Sequence, residues 1–178
     1  MIIFINGPFG IGKTTIAEEL RKRISNSMVF DPEEVGFFLK KIIKENDPKE
    51  DFQDYPMWRS LTVDTCKQLL ITYNRVLIVP MTIWKKEYFQ EIVKELQKSE
   101  SNLYHFCLIA PIEIVKDRLL KRGDVGGSWP FVQSELCIPA FQDVIFKKHI
   151  DASSKSMEEI VEEILLEIKG KRGHIRVS

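Results

Sequence analysis

The chain has 178 residues, with 26 lysines and arginines against 26 aspartates and glutamates, so it lacks the basic excess by which a general nucleic-acid binder holds phosphates. Its apolar share of 44% is enough for a buried core, and at roughly 150 residues per domain the length predicts one domain, residues 1–178. Scattered Cys66, Cys107 and Cys137 and scattered His105, His149 and His174 argue against a disulfide framework or a zinc site and fit a reducing cytoplasm.

No apolar run approaches the roughly 18 residues of a membrane-spanning helix, and the opening Met1-Ile2-Ile3-Phe4-Ile5 is too short and lacks the basic leader of a signal peptide. The expectation is a mature cytoplasmic chain.

Ile2 to Asn6 reads as a buried strand. Gly7-Pro8-Phe9-Gly10-Ile11-Gly12-Lys13-Thr14 follows it and fits Gly-x-x-x-x-Gly-Lys-[Ser/Thr]. The motif stands where its chemistry requires, after a strand and opening a helix. Its glycines let the backbone turn inward so that successive N–H groups form an anion nest, and the helix N-terminus adds partial positive charge at the same point. Gly7, Phe9, Gly10, Ile11, Gly12, Lys13, Thr14 and Thr15 are therefore the expected nucleotide-binding residues. Lys13 would lie along the β- and γ-phosphates, and the Thr14 hydroxyl would take a position on Mg²⁺. No Asn-Lys-x-Asp guanine signature occurs, so ATP is the expected nucleotide.

Thr14 to Ser25 is predicted helical, with Ile16, Ala17, Leu20 and Ile24 on one side. Met28 to Phe30 is a second strand ending at Asp31-Pro32, and Glu33 to Lys44 is the next helix. Asp31 lies at the carboxyl edge of a sheet, where it can accept the proton of a hydroxyl or bind Mg²⁺ through water. It is equally a helix N-cap ahead of a first-turn proline. Residues 45–51 are a polar loop. Tyr55 to Tyr73 is a long helix, and residues 45–73 form the expected acceptor-binding segment. Tyr55 and Trp58 suit stacking walls and Arg59 a polar clamp, with core packing the competing explanation for the aromatics. One arginine in this region points to an uncharged, hydroxyl-bearing acceptor.

Val76 to Val79 is a third strand, ended by Pro80. Neither it nor the fourth, Leu103 to Ile109, ends in the carboxylate that usually completes a metal shell. Thr82 reads as a turn residue or as a partner of a metal-bound water. Lys85 to Lys98 is helical, as is Ile112 to Arg122, which Gly123 stops. Arg118 and Arg122 share one face, placed either to swing over the γ-phosphate with a lid at about residues 123–132 or to serve as a solvated basic helix end. Gln133 to Phe146 has a helical pattern interrupted by Pro139. His149 to Asp151 is a fifth strand, and Ser156 with Glu159 opens a last helix through a capping box. That helix carries Glu158, Glu159, Glu162, Glu163 and Glu167 on its polar face, so it suits packing on the domain better than contact with an anionic membrane. A basic finish, Lys169-Gly170-Lys171-Arg172, follows. The alternation of strands and helices predicts an α/β domain with a mainly parallel five-stranded sheet and helices on both faces.

Four segments together resemble the TmrB-type tunicamycin-resistance ATP-binding proteins: Ile5 to Thr14, Asp31-Pro32-Glu33 with Gly36-Phe37, Asp51 to Pro56 with Trp58-Arg59, and Leu77 to Ile83. The likeness continues through Glu87-Tyr88-Phe89, Arg118-Leu119 and Arg122 to Ser128-Trp129, and ends at His174-Ile175-Arg176. It implies a fold similar to nucleoside monophosphate kinases, ATP as ligand, peripheral membrane association, and resistance to a uridine-containing, lipid-tailed nucleoside antibiotic, tunicamycin.

Two functions follow as expectations. One is an ATP- and Mg²⁺-dependent kinase in which Lys13, Asp31, Arg118 and Arg122 are catalytic, Thr14 and Asp31 hold the metal, and a small nucleoside-like acceptor is phosphorylated. The other is an ATP-gated protein that sequesters the drug unmodified. A housekeeping nucleoside or nucleotide kinase is a third option.

Overall fold

The computed structural model describes residues 1–43 and 46–171. The end of the expected second helix, the first residue of the acceptor segment, Arg172 and the His174-Ile175-Arg176 triplet lie outside the described residues.

Five parallel strands form one sheet: β1 (Ile2–Asn6), β2 (Ser27–Val29), β3 (Val76–Pro80), β4 (Leu103–Ile109) and β5 (His149–Asp151). Their spatial order is β2-β3-β1-β4-β5, so β1 sits at the centre with Ile3 opposite Ile78 on one side and Tyr104 on the other. Parallel strands need crossover connections, and six helices supply them: α1 (Lys13–Arg23), α2 (Pro32–Ile43), α3 (Pro56–Tyr73), α4 (Lys86–Ser99), α5 (Ile112–Arg122) and α6 (Trp129–Ala140); α7 (Met157–Lys171) follows the last strand.

Every side chain of β1 is buried, and the two-residue strand period divides them between two layers. Ile3 and Ile5 join Leu20 of α1, Leu119 of α5 and Ile164 of α7 in one core. Ile2 and Phe4 join Leu39 of α2, Trp58 of α3 and Ile92 of α4 in the other. The strand is thus clamped from both faces, and the loop leaving it at Gly7 starts from a fixed point.

β2 lies one residue earlier than expected and β3 takes in Pro80; other differences are larger. The pattern over residues 133–146 resolves into α6, which begins earlier, and a separate 3-10 turn at Val144–Phe146. Pro130 fits the first turn of α6, where a backbone N–H is unneeded, whereas Pro139 stands one residue before its end. The last part of the expected lid is therefore the first turn of this helix, held by a ring contact of Trp129 with Phe9 at 5.0 Å. A 3-10 turn at Phe52–Asp54, which the periodicity does not announce, precedes α3; Asp51 caps it by accepting the Gln53 N–H at 2.9 Å. The capping box of the last helix forms as expected, with Ser156 N–H donating to Glu159 at 2.7 Å and Glu159 N–H to Ser156 Oγ at 3.3 Å.

Candidate active site

The loop between β1 and α1 is anchored before it reaches the cavity. Asn6, fully buried, accepts the N–H groups of Gly7 and Ile83 on Oδ1, each at 2.9 Å, and donates Nδ2–H to the Ile83 carbonyl at 2.9 Å. Gly10 at φ +74° and Gly12 at φ +104° take backbone conformations that side chains disfavour, which accounts for glycine at both positions. Gly12 is the N-cap of α1, so the first N–H groups of that helix have no intrahelical partner and no side-chain cap. Such a terminus fits an anion.

Lys13 is only 8% exposed; its Nζ donates to the Pro8 carbonyl at 2.9 Å and lies 5.5 Å from the Phe9 ring centroid. Burial pulls its pKa down, opposed by the negative charge of Glu33 and, more weakly, Asp31. The loop opens onto a cavity of about 360 Å³ whose lining includes Phe9, Gly10, Gly12, Lys13, Thr14 and Thr15. Asp31, Glu33, Arg118 and Arg122 line it as well, with Pro80 at the end of β3.

The structure brings Asp31 to this cavity in the capping role as well. Its Oδ1 accepts the Glu33 N–H at 2.9 Å, and its backbone carbonyl accepts the Glu34 N–H at 3.3 Å. Burial pushes the Asp31 carboxyl above its ordinary value, against the Glu33 N–H bond and the Lys13 charge. Glu33 is pushed up in the same way, with Lys13 again opposing. Glu33 was not singled out from sequence because an acidic first turn of a helix is common; the signal available was a second carboxylate two residues after a strand-end aspartate.

Arg118 donates to the Ile11 carbonyl at 3.3 Å and to the Ala152 carbonyl at 2.7 Å, bridging the phosphate loop to the segment between β5 and α7. It also borders a second cavity of about 220 Å³, shared with Gly10, Gly12 and Thr15 and closed by Lys155, Met157 and Ile160. Arg122, on the cavity rim, pairs with Asp124 at 2.6 Å.

The expected acceptor residues are placed elsewhere. Trp58 is fully buried, with its indole N–H donated to the Pro32 carbonyl at 2.9 Å. Tyr55 holds the loop before it, its hydroxyl donating to the Asp47 carbonyl at 2.6 Å and accepting the Lys49 N–H at 3.0 Å. Arg59 stacks 4.1 Å over Tyr88, pairs with Glu91 at 2.7 Å and donates to the Gln53 carbonyl at 2.7 Å. None of the three lines the phosphate cavity, and each is occupied in joining α2, α3 and α4. Thr82 takes the turn role, donating its hydroxyl to the Gly7 carbonyl at 2.9 Å.

Among the described residues no group of three or more His, Cys, Asp and Glu side chains is gathered to hold a metal ion. The donors that fit Mg²⁺ beside a nucleotide are the Thr14 hydroxyl and the Asp31 carboxylate, with phosphate and water oxygens completing a hard-cation shell.

The AAA domain family matches residues 3–128, more than half of the chain. The tunicamycin resistance protein of Deinococcus radiodurans is 32% identical and covers 94% of each chain, with a TM-score of 0.78. A gluconokinase of Sinorhizobium meliloti shares the fold at a TM-score of 0.69 and 14% identity, over 96% of this chain and 93% of that one. A shikimate kinase of Acinetobacter baumannii does so at 0.63 and 15%, over 96% and 94%. No curated protein sequence matches the chain. Among the described residues no helix is long and apolar enough to cross a membrane. The chain belongs to the AAA domain family and, within it, to the TmrB-like tunicamycin-resistance proteins, a kinase-like P-loop family.

Proposed function

We propose that this member of the TmrB-like P-loop proteins is an ATP-dependent phosphotransferase that acts on a hydroxyl of a small, uncharged, nucleoside-like acceptor, and that it takes part in resistance to tunicamycin. The observation that carries the reading is one cavity lined both by the cations Lys13, Arg118 and Arg122 and by the carboxylates of Asp31 and Glu33. Cations suit the charge of a transferring phosphoryl group, and a half-buried carboxylate with a raised pKa suits removal of a hydroxyl proton.

Bound Mg·ATP supplies the phosphoryl group: the acceptor oxygen bonds to the γ-phosphorus as the bond to the ADP oxygen breaks. The uncapped N–H groups at the start of α1 hold the phosphates, and Lys13, fixed by Pro8 and Phe9, adds a point charge there. Thr14 and Asp31 would hold the Mg²⁺ that accompanies the nucleotide. Glu33 takes the acceptor proton, because Asp31 has one oxygen committed to the helix cap. Arg118 fixes the second cavity, whose apolar floor of Met157 and Ile160 suits the base of the nucleotide. Arg122 reaches the γ-phosphate by exchanging its bond to Asp124.

The test is mass spectrometry of tunicamycin and a panel of nucleosides after incubation with the protein, ATP and Mg²⁺. The reading requires an acceptor heavier by one phosphoryl group. Binding that ATP tightens, with the drug recovered unmodified, would instead identify a sequestering protein, a reading favoured by the lack of a carboxylate at the end of β3.

A further inference from the structure

A chain of buried hydrogen bonds runs from the 3-10 turn before α3 to the phosphate loop. Thr82, with no exposed surface, donates Oγ1–H to the Gly7 carbonyl at 2.9 Å. Its own backbone carbonyl accepts Nε2–H of Gln53 at 2.8 Å, and Gln53 is 1% exposed. Gln53 is held in turn by Arg59, which donates to its carbonyl, and by Asp51, which accepts its N–H.

Gly7 has little freedom left. Its N–H is taken by Asn6, its φ is +145°, and a Cβ at this position would stand 2.7 Å from the Leu108 carbonyl oxygen. Pinning the Gly7 carbonyl sets the start of Pro8, and the Pro8 carbonyl is the group that holds Lys13 Nζ. A purely structural role explains Gln53 poorly. Its Oε1 is buried without a partner, a cost that an apolar side chain of similar size would not carry.

We propose that Thr82 and Gln53 are positioning residues for the nucleotide: they fix the Gly7 carbonyl, hence the Pro8 anchor of Lys13, and so tie the shape of the phosphate loop to the turn that precedes α3. The proposal rests on the nucleotide-binding reading above.

The experiment is calorimetric titration of Mg·ADP into the wild type, Thr82→Val, Thr82→Ser and Gln53→Met, at a temperature where circular dichroism shows each variant folded. Thr82→Val and Gln53→Met should bind about ten-fold more weakly, the size expected for losing one buried hydrogen bond, and Thr82→Ser, which keeps the hydroxyl, within about two-fold of the wild type. Valine and methionine variants that bind as tightly as the wild type overturn the proposal, whatever their melting temperatures. So does a serine variant as weak as the valine one. If Thr82→Val does not fold, Gln53→Met decides alone. Absence of binding by the wild type strikes the nucleotide reading itself, whereas equal affinities strike only this proposal.

Discussion

Asp31 and Glu33 are joined by a single hydrogen bond, from the Glu33 backbone N–H to Asp31 Oδ1 at 2.9 Å, and both carboxylates meet one cavity, from the cap and the first turn of α2. Burial raises both pKa values. A carboxyl whose folded pKa exceeds its unfolded value binds its proton more tightly when folded. Its contribution to stability is therefore complete at low pH and is lost as pH rises through the folded value. At neutral pH an ionised Glu33 strains the fold. Glu33→Gln is expected to abolish transfer and yet raise stability at pH 7 in urea denaturation, with the difference shrinking as pH falls through the folded value and gone below about pH 4, where an unfolded glutamate is also protonated. The rate of transfer should fall as pH drops through a midpoint above the ordinary carboxylate range, because the base must be ionised.

Arg118 joins the Ile11 and Ala152 carbonyls through separate nitrogens of one guanidinium. A lysine offers a point charge and no planar fork. Arg118→Lys should weaken Mg·ATP binding nearly as much as Arg118→Ala, about ten-fold, the size expected for losing one charge-assisted bond. Near-wild-type affinity in Arg118→Lys would show that the charge alone suffices.

Gly36 has the Phe52 ring where its side chain would begin: a Cβ would lie 2.4–2.6 Å from three ring carbons. Phe52 packs against Trp58, with ring centroids 5.3 Å apart, so displacing it disturbs the second core. Gly36→Ala should destabilise by about 1–3 kcal/mol despite alanine's better helix propensity, as urea denaturation can measure. A stabilised variant would contradict the packing described.

Trp58 separates packing from binding. Replacing it by phenylalanine removes the N–H given to the Pro32 carbonyl at the start of α2. Trp58→Phe should cost about 1–3 kcal/mol of stability and leave the acceptor KM unchanged. An acceptor KM that rises while stability holds would restore the stacking role expected from sequence.

The central strand, the phosphate loop and the helix after it were legible because a buried apolar run, a glycine pattern and a helical period agree over residues 2–24. The ends of β1, β4 and β5 were legible too, whereas β2 lies one residue earlier than expected and β3 takes in the Pro80 expected to end it. Asp31 was readable as both a cap and a cavity residue, and it is both. What sequence could not separate was an aromatic facing a ligand from one facing a core: the Asp51 to Arg59 run has the composition of a binding wall, yet the packing of α2 and α4 encloses Trp58 and Arg59. The bonds of Gln53 and Thr82 were likewise out of reach, because they join residues 29 and 75 positions apart whose partners are backbone carbonyls. Periodicity also missed the early start of α6, where Trp129 and Pro130 look like loop residues until Phe9 is seen against them.

The most direct test of the account is titration of Mg·ATP into the purified protein by calorimetry, beside Lys13→Met, which keeps the side-chain length and removes the charge. The account predicts one saturable site in the wild type and a loss of affinity of about a hundred-fold or more in the variant, because a buried charge-assisted contact disappears. No heat with the wild type, or equal affinity in both proteins, would contradict it.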